Sequence, residues 1–277
     1  MPGINDLGTP NTNDYNLGRG VVYFALLDTD GTPLGYRDLG NAPEFNISVE
    51  SETLEHQSSR EGLKKTDKEV VISQKVNLSL TLDEINFQNL ALLFAGETAA
   101  HTNVAVAGFS EHAMIASLVK GQWYDIVNSS GERAYDISAD DLTVKIDGGA
   151  TLTKDTDYTV DEKMGRLFFL SGSGNTSDTD TIDVTLAANA QAGDVDEVQA
   201  LTKTAVQGAL KFVGKNPAAS DHQTEYQFHQ VSLKAEGDFS LIGDEFTTMG
   251  FTAVAEANEN ADAASPTLTI RTVPVSA

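Results

Sequence analysis

Five histidines, His56, His101, His112, His222 and His229, are the residues best suited to bind a metal or move a proton near neutral pH. None lies three to five residues from another, so local spacing assembles neither a zinc site nor a histidine-based catalytic pair. The chain has no cysteine, which excludes disulfides, thiolate nucleophiles and cysteine-ligated zinc. No G-x-S-x-G elbow offers a serine nucleophile. The stretch "GALKFVGKN" superficially resembles a phosphate loop. It has five residues between Gly208 and Gly214 where such a loop takes four, and Asn216 replaces the magnesium-binding hydroxyl. Asp28, Asp30 and Gly31 suggest a calcium loop but lack its distal glutamate and sit between strand patterns, so they predict a hairpin turn. Asp157, Asp161, Asp178, Asp180 and Asp183 read as turn formers before cation ligands. The lone Trp123 reads as a packing residue at a domain junction. Carboxylates are too frequent for sequence to select a glycosidase pair. Nothing here argues for an enzyme or a cofactor, and a β-fold hydrolase has only those unselected carboxylates behind it.

Charge narrows the field. Against 41 acidic residues stand 18 Lys and Arg, a formal net charge of −23 in 277 residues. Such a surface repels nucleic acid and anionic lipid, which argues against a stable complex with either. Four of the scarce cations, Arg60, Lys64, Lys65 and Lys68, gather in "LEHQSSREGLKKTDKEVVISQ", residues 54–74. The chain start, "MPGINDLGTPNTNDYNLGRG", has neither a basic n-region nor an apolar core, so it reads as a flexible arm over 1–18 and not as a secretory signal. No apolar run approaches the ~18 residues of a membrane helix.

These residues must be positioned mostly by strands, because period-2 alternation dominates. Phe45, Ile47 and Val49 share one face. Val70, Ile72, Val76, Leu78, Leu80 and Leu82 share another across a long half-polar strand that only Val71 and Gln74 interrupt. Between these two patterns, residues 51–69 read as a long polar loop. Downstream, Val206, Leu210 and Phe212, then Val231, Leu233 and Ala235, then Met249, Phe251, Ala253 and Ala255 alternate inward. The "LTI" of the tail adds an edge strand. One helix is expected in "LDEINFQNLALLFAGE", capped by Asp83, ended by Gly96, and packed through Phe87, Leu90, Ala91 and Phe94. Residues 121–195 read as a separate β-rich insertion of short strands, in which "SGSGNTSDTDT" is too polar to pack and is expected to be a mobile loop. The expected fold is mainly β: an antiparallel β-sandwich or barrel, built from 19–120 and 196–277, with one short flanking α-helix and that insertion.

The order from residue 19 to 97 (hairpin, strand, long basic polar loop, long alternating strand, short helix), with "FSLIGDEFTTMGFTAVAEAN" at 239–258, resembles the major tail tube protein of long-tailed, double-stranded-DNA bacteriophages. The resemblance covers about residues 19–118 and 200–257. It implies a structural virion protein, assembled in the host bacterial cytoplasm, whose hexameric rings stack head-to-tail into a hollow tube. Each subunit would add strands to a barrel around the lumen, and the helix would lie outside. DNA would pass through during ejection without stable binding. The implied partners are the chain itself, the tape-measure and tail-terminator proteins, and baseplate or tip proteins, with no membrane. The 51–69 loop, disordered in the free subunit, would order on the next ring through Arg60, Lys64, Lys65 and Lys68. The alternative reading is an Ig-like surface or adhesion binding module, suggested by the Asp- and Gly-rich strands of 121–195.

Overall fold

A computed structural model describes residue 15 and residues 17–58, 62–217 and 222–274, without the side chains of His222 and Pro274. The molecule is mainly β, with several antiparallel sheets and one α-helix, and its chain divides into two compact units. Unit 1 comprises 1–98 with 198–277, and unit 2 comprises 99–197.

Unit 1 is built on a sheet of β1 (Gly20–Leu26), β2 (Arg37–Asp38), β3 (Glu44–Ser58), β4 (Lys65–Leu82), β13 (Val206–Gly214), β14 (His222–Glu236), β15 (Met249–Glu256) and β16 (Leu268–Pro274). The hydrogen-bonded order is β2-β1-β13-β14-β15-β4-β3, with β16 beside β14. β14 changes partner along its length. Residues 222–228 pair with β16, whereas Gln230–Glu236 pair with β15. The register against β13 slips between Gly208 and Leu210, where β14 carries an extra residue, and a bulge of this kind bends a strand. Phe45, on the terminal strand β3, meets Phe212 of β13 at 5.6 Å and Phe228 of β14 at 6.3 Å between ring centroids. β15 and β4 separate these strands along the hydrogen-bonded path, so the sheet curls over on itself as a sandwich. Its core holds Phe24, Leu78, Leu80, Leu82, Leu210, Phe228, Val231, Leu233, Met249 and Phe251. Of the alternating residues, Val206, Leu210, Val231, Leu233, Met249, Phe251, Ala253 and Ala255 are buried as expected, whereas Ile47, Val49 and Ala235 are exposed.

The helix α1 (Phe87–Leu93) packs beside β14 and β15. Its N-cap is Asn86, whose side chain accepts the Asn89 N–H at 2.8 Å; Asp83 instead accepts from Asn41 at 2.7 Å. The end is a Schellman turn: Gly96 N–H reaches Ala91 O at 2.8 Å and Ala95 N–H reaches Leu92 O at 3.3 Å. Ala95, not Gly96, takes the left-handed conformation, with φ +45°. Gly96 is required because a Cβ there would strike the Gln199 carbonyl. The helix is also rotated from the sequence expectation. Ala91 and Leu93 are buried and Leu90 packs on the core, but Phe87 and Phe94 are 47 and 38 % exposed. The rotation comes from Asn89, which is fully buried; its amide donates to Leu39 O and Glu84 O, and its carbonyl accepts from Arg37.

Residues Glu97–His101 (β5) and Val195–Gln199 (β12) pair as a two-stranded ribbon where the chain leaves and re-enters unit 1. Unit 2 has two three-stranded sheets: β6 (Phe109–Ile115), β11 (Ile182–Leu186) and β8 (Leu142–Ile146); and β7 (Trp123–Asp125), β10 (Arg166–Phe169) and β9 (Tyr158–Asp161). Its core contains Leu118, Ile126, Val144, Leu167, Phe169, Ile182 and Val184. The insertion therefore begins at 99 and not at 121, because β6 pairs with β11 and not with the first sheet. Trp123 lies within this unit and is half exposed. "SGSGNTSDTDT" is also packed. Ser173 and Thr176 are buried, Lys120 Nζ donates to both of their carbonyls, and Leu118 donates its N–H to Asp180 O and accepts the Thr179 N–H. Hydrogen bonds anchor what apolar content could not.

Candidate self-assembly surface

The groups that could do chemistry are dispersed. Among the described residues no three His, Cys, Asp or Glu side chains stand together as metal ligands. His56 pairs with Asp67 at 2.5 Å near a hairpin tip, His101 lies 3.7 Å from Glu197, and His112 meets the edge of Phe109. His229 is buried with its Nε2 2.9 Å from Thr269 Oγ1, and burial lowers its pKa. The side chain of His222 lies outside the described residues. Gly208 sits in β13 against the Phe24 ring, where a Cβ has no room, so its role is packing. Asp28 Oδ1 accepts the N–H groups of Asp30 and Thr32 at 2.9 and 2.7 Å, a turn that uses the carboxylate locally. Asp161, Asp178 and Asp180 likewise accept backbone N–H groups, but Asp183 is a buried strand residue of β11.

The outstanding surface is the β3–β4 hairpin. Sequence reading made 51–69 a loop; the structure makes it strand up to Ser58 and again from Lys65, in register from Glu44↔Thr81 to Ser58↔Lys65. Cross-strand pairs explain why so polar a segment is extended. Glu50 faces Lys75, Glu52 accepts from the Ser73 hydroxyl at 3.1 Å, and Leu54 faces Val70. β15 accompanies β4 only as far as Val76. Beyond it, among the described residues, the two strands pair only with each other and run on for about 30 Å at ~3.4 Å per residue.

This ribbon is bulged twice, at the register shifts Glu52/Thr53 and His56/Gln57. The first leaves Ile72 without a partner, so that Val71 faces Thr53. A one-residue insertion exchanges the two faces of a strand. Val70 therefore leaves the face of Val76 and Leu78 on which alternation had placed it, and Val71, the exception in the pattern, takes that face. Apolar groups consequently emerge on both sides of the ribbon. Val49 and Leu54 are 64 and 63 % exposed, with Val70, Val71 and Ile72 near half.

Of the four predicted contact cations, the structure brings Lys64, Lys65 and Lys68 to the distal end, all exposed; Arg60 lies outside the described residues. Glu55 and Glu69 stand directly opposite each other, a repulsive pair on the same ribbon. Alternation alone carries no mark of the apolar exposure on both sides of the ribbon, because the bulge that creates it is a matter of register.

Two surfaces were not foreseen as sites. On unit 2, the Trp123 ring is tilted against Phe168 at 5.2 Å and carries the Arg166 guanidinium at 4.9 Å, so that face is already occupied by a cation held by Asp161. On unit 1, the segment between β14 and β15 exposes Leu241, Ile242 and Phe246. At the other end of the chain, the expected N-terminal arm is described only from residue 15. There Asn216 donates to Tyr15 O and accepts the Leu17 N–H, and residues 1–14 lie outside the described residues.

Comparison with curated proteins finds no match. A family model matches residues 15–266, a span that includes unit 2, the ribbon, the exposed 239–248 segment and every strand of unit 1 except β16. On that match the chain belongs to the family described as "protein of unknown function UCP028589".

Proposed function

We propose that this chain is a self-assembling structural protein, a tail tube subunit of a long-tailed bacteriophage, whose rings stack head-to-tail through the β3–β4 ribbon. One observation carries the reading: a two-stranded ribbon projects past the sheet, apolar on both faces, with Lys64, Lys65 and Lys68 set among Glu55, Asp67 and Glu69 toward its tip. A lone hairpin is marginal in water, and contiguous exposed apolar groups mark an interaction surface. The matching surface on an identical copy supplies the cover. Because the ribbon and its receptor are different patches, the contact is heterologous and propagates as an open filament. Lys64, Lys65 and Lys68 then meet the acidic surface of a neighbour, which gives attraction and register to subunits that otherwise repel. The 15-residue edge strand β3 offers unpaired backbone groups for lateral pairing within a ring. An acidic lumen would let a polyanion pass without trapping it. The implied partners and virion location follow from the same reading.

Negative-stain microscopy of the purified full chain tests it. Hollow tubes or stacked rings are the expected product as concentration rises. Replacing residues 51–74 by Asn-Gly joins the facing pair Glu50 and Lys75 by a two-residue turn and leaves the covered sheet intact. That variant should melt like the parent and fail to polymerise. A parent that stays monomeric throughout, or a shortened chain that still forms tubes, overturns the proposal.

A further inference from the structure

Leu241, Ile242 and Phe246 are 84, 95 and 97 % exposed, the three highest values for large hydrophobics among the described residues. Their loop is closed by its own polar bonds: Thr247 Oγ1 donates to Ser240 O at 3.1 Å and Ser240 Oγ to Ile242 O at 3.0 Å. Phe239 anchors its base edge-on to Phe94 at 6.0 Å. Asp244 and Glu245 sit between the apolar groups. An apolar tip held outward with carboxylates beside it needs a receptor that is both apolar and cationic.

Unit 1 contains one. A cavity of about 470 Å³ is lined by Phe24, Leu26, Leu34, Ala91, Leu92 and Val206, with Arg37 and Lys203 in its wall. Lys203 is paired with Glu97 at 3.1 Å. Arg37 is not fully used: Nη1 donates to Asn89 at 2.8 Å, but Nη2 is buried with no acceptor. A buried donor without a partner is costly, and a carboxylate is its strongest acceptor.

We propose that loop 239–248 of one copy docks in this cavity on a second copy, with Ile242 and Phe246 in the apolar part and Asp244 or Glu245 beside the positive charges of Arg37 and Lys203 in its wall. The inference rests on the self-assembly reading but uses surfaces separate from the ribbon. It joins two unlike patches, so it too runs head-to-tail.

The absence of cysteine makes the test clean. Gln88→Cys at the cavity rim and Gly243→Cys in the loop are placed on differently tagged full-length chains, which are mixed under assembling conditions with a short bismaleimide. The expected product is a covalent adduct of the two tags. Phe246→Ser in the loop-bearing chain should reduce its yield at least ten-fold without shifting thermal unfolding, since that side chain touches water. Assemblies that form with no inter-chain adduct overturn this docking and leave the ribbon proposal standing. Adduct formed only within a single doubly substituted chain also overturns it, because the loop then covers its own cavity. Chains that never exceed monomer size sink both proposals.

Discussion

Two aspartates of unit 2 show how differently one residue type behaves once buried. Burial alone would raise the pKa of Asp157, but the Ser173 hydroxyl, the Thr153 N–H and the Asn175 amide hold it below the ordinary carboxylate value. Its stabilising contribution is therefore complete above the unfolded carboxylate pKa and is lost as pH falls through the lowered native one. Asp157→Asn should cost roughly 1–3 kcal/mol at neutral pH by setting an amide against these donors, with the deficit shrinking in acid; melting curves across pH measure it. Asp183 is the reverse case: burial first, then Asp147 and Glu111, raise its pKa. That contribution is present below the unfolded pKa and disappears as pH rises through the raised native value. Asp183→Asn should therefore raise the melting temperature at pH 7 and change nothing in strong acid, and a lower melting temperature at pH 7 would refute the assignment. Both residues look alike in the sequence. The Asp28 turn was legible because its donors lie two and four residues away. The donors to Asp157 include Ser173 and Asn175, which only the fold brings close.

At the scale of elements, alternation was readable where both faces have fixed surroundings, as in Met249–Glu256, whose buried and partly exposed positions alternate almost throughout. It misled along β4, because one unpaired residue, Ile72, inverts the faces as far as the second bulge and leaves no mark in composition. The helix was readable as an element but not in its rotation, which one buried amide sets. Ala95 in the left-handed region is strained, and its methyl packs only partly on the core. Ala95→Gly should stabilise unit 1 by on the order of 0.5–1 kcal/mol in denaturant titrations, and an unchanged or lower midpoint would show that the methyl contact outweighs the strain. Charge reversal by Lys64→Glu with Lys65→Glu leaves the covered sheet untouched. It should slow polymerisation at least ten-fold at low ionic strength while far-ultraviolet circular dichroism stays the same; undiminished tube yield would remove these lysines from the contact.

For the molecule as a whole, a charge of −23 sets a general repulsion against the local attraction proposed for Lys64, Lys65 and Lys68. Salt screens both, but separated charges before close pairs. Polymerisation followed by light scattering should therefore quicken as salt rises from low values to about 0.15 M, where the screening length is about 8 Å, and slow again well above it. A monotonic fall would mean that attraction dominates at every distance. The β-sandwich class was legible in the sequence, whereas the start of unit 2 at 99 was not. "FSEHAMI" has the texture of any neighbouring strand, and its partner β11 lies far along the chain. The unbroken run of β4 from Lys65 to Leu82 has a mechanical consequence. A pull on the tip travels along one covalent backbone into the sandwich. There, hydrogen bonds lying across the strand direction share the load in shear rather than opening one at a time. Such a fibre would resist stretching with its strongest components aligned to the strain.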